Sequence, residues 1–121
     1  MEKKLSEVSM NCLFCAIIKG DIPSAKVYED ECCYAFRDIN PQAPVHVLVV
    51  PKEHITSANE IDEKNSATVS HIFSVIPKIA SELGLGEGYR IVTNIGENGR
   101  QSVKHLHFHI LGGAPLSETM A

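Results

Sequence analysis

The amino-acid sequence predicts an α+β domain: one antiparallel sheet of about five strands, one long helix on its back and a short helix near the N-terminus. Three observations carry this. His105, His107 and His109 alternate with Leu106, Phe108 and Ile110, and alternation at every second residue gives a strand one polar and one apolar face. A helix would scatter the three imidazoles by about 200° per step. Val45, Val47, Leu48, Val49 and Val50 form an apolar run broken only by His46, the pattern of a central strand. Between residues 60 and 83 the spacing changes: Val69, Ile72, Phe73, Ile76, Ile79, Ala80 and Leu83 recur at three and four residues, one face of one helix.

From the N-terminus, residues 1–10 are polar and predict a flexible segment; residues 11–121 form a single domain. Asn11 is placed to cap a short helix whose apolar positions are Leu13, Phe14, Ile17 and Ile18. Gly20-Asp21-Ile22-Pro23 ends it. Residues 26–29 and 32–37 read as a hairpin around Asp30-Glu31, with Cys32 and Cys33 as ordinary strand thiols. Two prolines, Pro41 and Pro44, stiffen the loop before the strand at 45–50. Pro77 lies inside the long helix, where an uncompensated lost donor costs about 3 kcal/mol. His71 reads as a solvated or helix-packing residue. Gly84 and Gly86 stop the helix, 89–94 is a strand, and a loop at 95–101 leads into the histidine strand. Gly112-Gly113 closes that strand and 114–121 is a loose tail. With the long helix behind the sheet, the histidine face is expected to be uncovered.

Composition excludes several function classes. The net charge is −4 and no basic run is present, which argues against a nucleic-acid partner. No apolar stretch approaches the ~20 residues of a membrane span, and the polar start lacks a signal peptide's apolar region. A cytoplasmic protein is expected. Cys12 and Cys15, at C-x-x-C spacing, then point to metal or redox chemistry more than to disulfides.

Imidazole serves as nucleophile, proton carrier or metal ligand near neutral pH. One reading of the row is nucleophilic attack at phosphorus, giving a labile phospho-imidazole that water resolves. Ser102, a second imidazole and backbone N–H groups of the glycine-containing loop would serve as donors to the anionic group. A second is a metal-dependent hydrolase with His105, His107 and His109 as ligands. A third is a nucleotide-binding module whose turnover is incidental. Asp38, in its rigid loop, could accept two hydrogen bonds from a ribose diol, or simply form a turn.

The run Gly99-Arg100-Gln101-Ser102-Val103-Lys104-His105-Leu106-His107-Phe108-His109-Ile110-Leu111-Gly112-Gly113 resembles the signature of the histidine-triad (HIT) family. Its lead-in and exit are most similar to the Hint branch, the purine nucleoside phosphoramidases. Segments 21–24, 35–44 and 46–55 resemble the same branch in the same order, so the likeness runs from Cys12 to Gly113.

The resemblance implies a HIT-like homodimer whose sheets join, acting on purine nucleotides and nucleoside phosphoramidates. It implies that His107 attacks the α-phosphorus of a nucleotidyl amine and that water then releases the monophosphate. His109 and Ser102 would contact phosphate, His46 would orient the nucleophile, and Asn94 and Gln101 would line the phosphate side. Asp38 would hold ribose, with Ile39, Phe14, Ile17 and Phe36 around the base. No catalytic metal is implied. Bacterial-type relatives in the family close a structural Cys₂His₂ zinc, here Cys12, Cys15, His54 and His105. A diadenosine polyphosphate hydrolase is the nearest sibling reading. Arg100 departs from the pattern, standing where many relatives have glycine.

Overall fold

The apolar run at 45–50 becomes the middle of the sheet. The structure, a computed structural model, describes residues 12–121; the segment 1–10 and the Asn11 cap lie outside the described residues. In chain order the elements are α1 (Leu13–Lys19), β1 (Lys26–Glu29), β2 (Cys33–Arg37), β3 (Val45–Pro51), a 3₁₀ turn (Ala58–Glu60), α2 (Ser66–Glu82), β4 (Tyr89–Val92) and β5 (Phe108–Gly112). The strands are antiparallel in the order β1-β2-β3-β5-β4. The α+β architecture of five strands and two helices is as the sequence predicts.

Register assigns the two faces. Leu48 stands opposite His109 and Val49 opposite Phe108. Val47, Val49, Phe108 and Ile110 pack with Ile72, Val75, Ile76 and Ile79 of α2. Each such fully buried side chain contributes roughly 1.5–3 kcal/mol. Leu48 and Val50 turn to the other face, with Tyr34 and Phe36 of β2 and Phe14 and Ile17 of α1. The histidine face is therefore not uncovered: α1 lies over part of it, and His105 and His107 are buried.

The histidine row also departs from a full strand. Only residues from Phe108 onward belong to β5. Ahead of it, the Leu106 amide donates to the Ile55 carbonyl and Thr93 Oγ1 donates to the His107 carbonyl at 2.8 Å. Those backbone groups bond a loop and a side chain rather than a ladder, yet the alternation survives, with Leu106 in the α2 core. The long helix starts at Ser66 rather than near residue 60. Asp62 and Asn65 trade hydrogen bonds, amide to side-chain oxygen in both directions, and such local bonds compete with helix. Pro77 stays within a continuous α2 on its exposed side, where the carbonyl it leaves unbonded can reach water. β4 ends at Val92, two residues short of expectation.

The Cys12 side chain caps α1 by accepting from the Cys15 amide. Cys32 lies in the β1–β2 turn, outside the strand, and is exposed. In that turn Asp30 accepts four hydrogen bonds: Oδ1 from the Cys32 and Cys33 amides, Oδ2 from the Tyr28 hydroxyl and from His71 Nε2 at 2.6 Å. His71 is thus not merely solvated; it ties α2 to the hairpin. Burial, the largest single effect, opposes ionisation of Asp30, but the His71 and amide bonds together hold its carboxyl well below the usual range. Asp30→Ala should lower stability by roughly 1–3 kcal/mol, read as a fall in the urea midpoint, because it strands these donors. The wild-type advantage should be full above ~pH 4 and fade as pH falls below it, since the folded carboxyl titrates lower than the unfolded one.

Candidate functional site

Two groups of side chains meet on the α1 face. The first joins the start of α1 to the chain just after β3 and just before β5. His105 Nδ1 lies 3.3 Å from Cys12 Sγ and 3.5 Å from Cys15 Sγ, and His54 Nδ1 lies 3.4 Å from Cys15 Sγ. His105 Nε2 donates to the Pro51 carbonyl at 2.8 Å, which leaves the Nδ1 lone pair aimed at the sulfurs. The four donors could hold a metal ion. Around a tetrahedral zinc with ordinary bond lengths, sulfur and nitrogen ligands stand about 3.5 Å apart, so the spacing fits such an ion with little movement. Burial pulls His105 down to about 4 and also lowers His54, so both rings are neutral at neutral pH.

The second group is built from the β3–β5 pair and the loop before β3. His107 Nδ1 donates to the His105 carbonyl at 2.7 Å. A carbonyl only accepts, so Nδ1 carries the hydrogen and Nε2 carries a lone pair. The edge of the Phe14 ring packs on His107, with centroids 5.0 Å apart, and Phe14 meets Phe36 at 5.5 Å. His46 Nδ1 accepts from the Gln42 amide at 3.0 Å, so neutral His46 keeps its hydrogen on Nε2. That hydrogen points to His109 Nδ1 at 2.9 Å, leaving His109 with a donor at Nε2. Asp38 Oδ2 lies 3.4 Å from His46 Nε2, while its Oδ1 accepts from the Asn40 amide in a turn.

The three rings are neutral for one reason. Burial lowers His46 and His107, against an opposing push from Asp38, and takes His109 down to about 4. The site therefore offers one lone pair at His107 and one donor at His109, with ring centroids 5.0 Å apart.

The structure thus brings together His46, His107, His109, Asp38, Phe14 and Phe36, and separately Cys12, Cys15, His54 and His105. It does not gather His105, His107 and His109 around one point, as a three-histidine metal site requires; His105 faces the cysteines. His46 bonds His109, not His107. Asp38, His46 and His109 also lie within metal-binding distance of one another, with the two rings already hydrogen-bonded together. Ile17 is buried beside Phe36, Ile39 is 92% exposed beside Asp38, Asn94 is half-buried and Ser102 exposed. The Gln101 side chain ties its own loop to the segment after β3: Nε2 donates to the Thr56 and Val103 carbonyls and Oε1 accepts from the Gly96 amide. Sequence reasoning missed Gln42 and Thr93. Gln42 acts through its backbone, which leaves no side-chain signal, and Thr93 reads only as a strand residue.

The loop before the triad is tightly turned. A Cβ on Gly99 would sit 2.4 Å from the Ile95 carbonyl oxygen. Arg100 follows at φ 64°, the one non-glycine among the described residues in the left-handed region.

A family model described as "HIT domain" matches residues 19–116. An uncharacterised HIT-like protein of Synechococcus elongatus is 46% identical over 110 residues, covering 91% of this chain and 96% of its own. Among solved structures, a HIT family hydrolase from Clostridium thermocellum is 48% identical with a TM-score of 0.89, covering 92% of this chain and 97% of its own. A histidine triad nucleotide-binding protein from Candida albicans is 35% identical with a TM-score of 0.76, covering 92% and 87%.

Arg100→Gly should raise stability by about 0.5–1 kcal/mol, visible as a higher Tm. Relief of the left-handed backbone outweighs the extra freedom glycine gains when unfolded.

Proposed function

The chain belongs to the HIT domain family, and from that membership we propose that it is a nucleotide-binding hydrolase cleaving the P–N bond of nucleoside 5′-phosphoramidates through a nucleotidyl-histidine at His107. The observation that carries the reading is the bond from His107 Nδ1 to the His105 carbonyl. It directs the lone pair to Nε2, and it stabilises the positive ring that forms once Nε2 is bonded to phosphorus. The neighbouring names support the coarser part: a hydrolase and a nucleotide-binding protein.

In this reading Nε2 attacks the α-phosphorus as the P–N bond breaks. The electron pair goes to the amine, which takes a proton from solvent. Water then attacks the same phosphorus, the pair returns to His107 Nε2, and the water proton goes to solvent. His109 Nε2–H donates to a phosphoryl oxygen through both steps, oriented by His46. Ser102 and Asn94 serve the phosphate side. Gln101 acts by holding the loop. Asp38 faces the ribose, and a purine would cover Ile39 and lie over the Phe14–Phe36–Ile17 wall. A homodimer joined through the outer edge of β4 fits the sheet order.

We read Cys12, Cys15, His54 and His105 as the holders of a structural zinc, which would fasten α1 and its Phe14 to the sheet. The purified protein should then contain at least ~1 zinc per chain, and Cys15→Ala should lose ~1 equivalent and lower Tm. Metal analysis showing no zinc in folded wild-type protein would contradict this.

Adenosine phosphoramidate hydrolysis tests the activity. His107→Ala should lower kcat by about 10³-fold or more, and undiminished turnover in that variant would overturn the mechanism. Nucleotide binding without turnover would instead favour a binding module. In wild type, kcat/KM should stay level through the ordinary histidine value of ~6.5 and fall only at more acid pH. The neutral rings are the active ones, and burial delays their protonation.

A further inference from the structure

On the α2 face, away from the triad, Asp30, Cys32 and His71 each offer one ligand atom, and the three atoms lie within 4.8 Å of one another. Asp30 and Cys32 come from the β1–β2 turn, and His71 comes from α2. The phosphoramidate reaction uses none of them. We propose that these residues form a surface site for a divalent transition metal of the zinc class, separate from the Cys12–Cys15–His54–His105 group.

The donor set selects the ion. One imidazole, one carboxylate and one thiolate suit a borderline metal. Magnesium and calcium require mostly oxygen ligands, and only one carboxylate is present. The carboxylate is also preset: two amides and the Tyr28 hydroxyl fix its orientation. His71 already points Nε2 at Oδ2, 2.6 Å away. The metal takes the place of the hydrogen between them, so the pair opens by about 0.8 Å to reach ordinary tetrahedral ligand spacing. That hydrogen moves to the other ring nitrogen, and the Cys32 thiol proton goes to solvent. Cys32 is exposed and free of disulfide, so its side chain can rotate onto the ion. Cys33 cannot substitute: it is fully buried in the core under α2. His71 and Asp30 remain partly open, 39% and 23% by side chain, which leaves a fourth position to water. The bound ion would join the hairpin to α2 and stabilise the fold by mass action.

Cobalt(II) titration of the full chain, under a non-thiol reductant, tests the site. Thiolate-to-cobalt absorption reports cysteine-bound metal alone, so the Asp38–His46–His109 group adds nothing to it. Wild type should bind one more equivalent than Cys32→Ala and show a correspondingly stronger band, about a third of the total when both cysteine sites are filled. His71→Gln should lose the same equivalent, and Cys12→Ser should keep it. Equal stoichiometry and absorption in wild type and Cys32→Ala would overturn the proposal. So would loss in Cys32→Ala but not in His71→Gln, the mark of a lone thiol binding cobalt. Phosphoramidate turnover by Cys32→Ala should match wild type in either case, which keeps this test apart from that of the proposed reaction.

Discussion

Because β3 and β5 pair antiparallel with Leu48 opposite His109, His46 and His109 fall diagonally adjacent on one face of the sheet. That pairing divides the side chains between the two cores. It sends Val47, Val49, Phe108 and Ile110 to α2, leaving Leu48 and Val50 to form a second, smaller core with α1. A slip of one residue would exchange the faces, burying His109 against α2 and turning its apolar neighbours toward the site. The apolar alternation therefore positions the imidazoles at no separate energetic cost.

Hydrogen bonds to the backbone then give chemically equivalent rings different roles. Pro51 and His105 supply carbonyls that take a hydrogen from one nitrogen of His105 and His107. Gln42 supplies an amide that occupies Nδ1 of His46. Each contact settles one tautomer, and the His46–His109 bond passes the choice to a fourth ring. Burial keeps all of them neutral, which preserves these assignments across the pH range where free imidazole would change charge.

Periodicity made most of the core legible: the apolar run of β3 and Ile72, Ile76, Ile79 and Ala80 of α2 end up buried, whereas Phe73 is 46% exposed and Val75, outside the predicted spacing, is buried. It was less informative where backbone groups bond outside the ladder. Residues 105–107 alternate like a strand but bond Ile55 and Thr93, and the start of α2 is delayed by the Asp62–Asn65 exchange. The site was legible in its residue types and not in its pairings. Nothing local says that His46 bonds His109, or that Gln101 reaches the Thr56 carbonyl, 45 residues away. His71 and Asp30, 41 residues apart, carry no mutual signal until the hairpin and α2 pack together. The left-handed backbone at Arg100 is the exception, a conformational demand visible as an unexpected residue type.

The two groups on the α1 face share one residue, and that makes them mechanically dependent. The His105 ring is held by the Pro51 carbonyl on one side and the two cysteine sulfurs on the other. Its own carbonyl accepts the hydrogen from His107 Nδ1. Any movement of the ring that rotates the 105 peptide weakens that acceptor and lets the His107 hydrogen redistribute to Nε2, where it would block the lone pair. Phe14 reinforces the link, because the helix that carries Cys15 also places this ring against both His105 and His107. The cysteine group does not touch His107, yet by holding the His105 ring it steadies the carbonyl that leaves the His107 lone pair on Nε2.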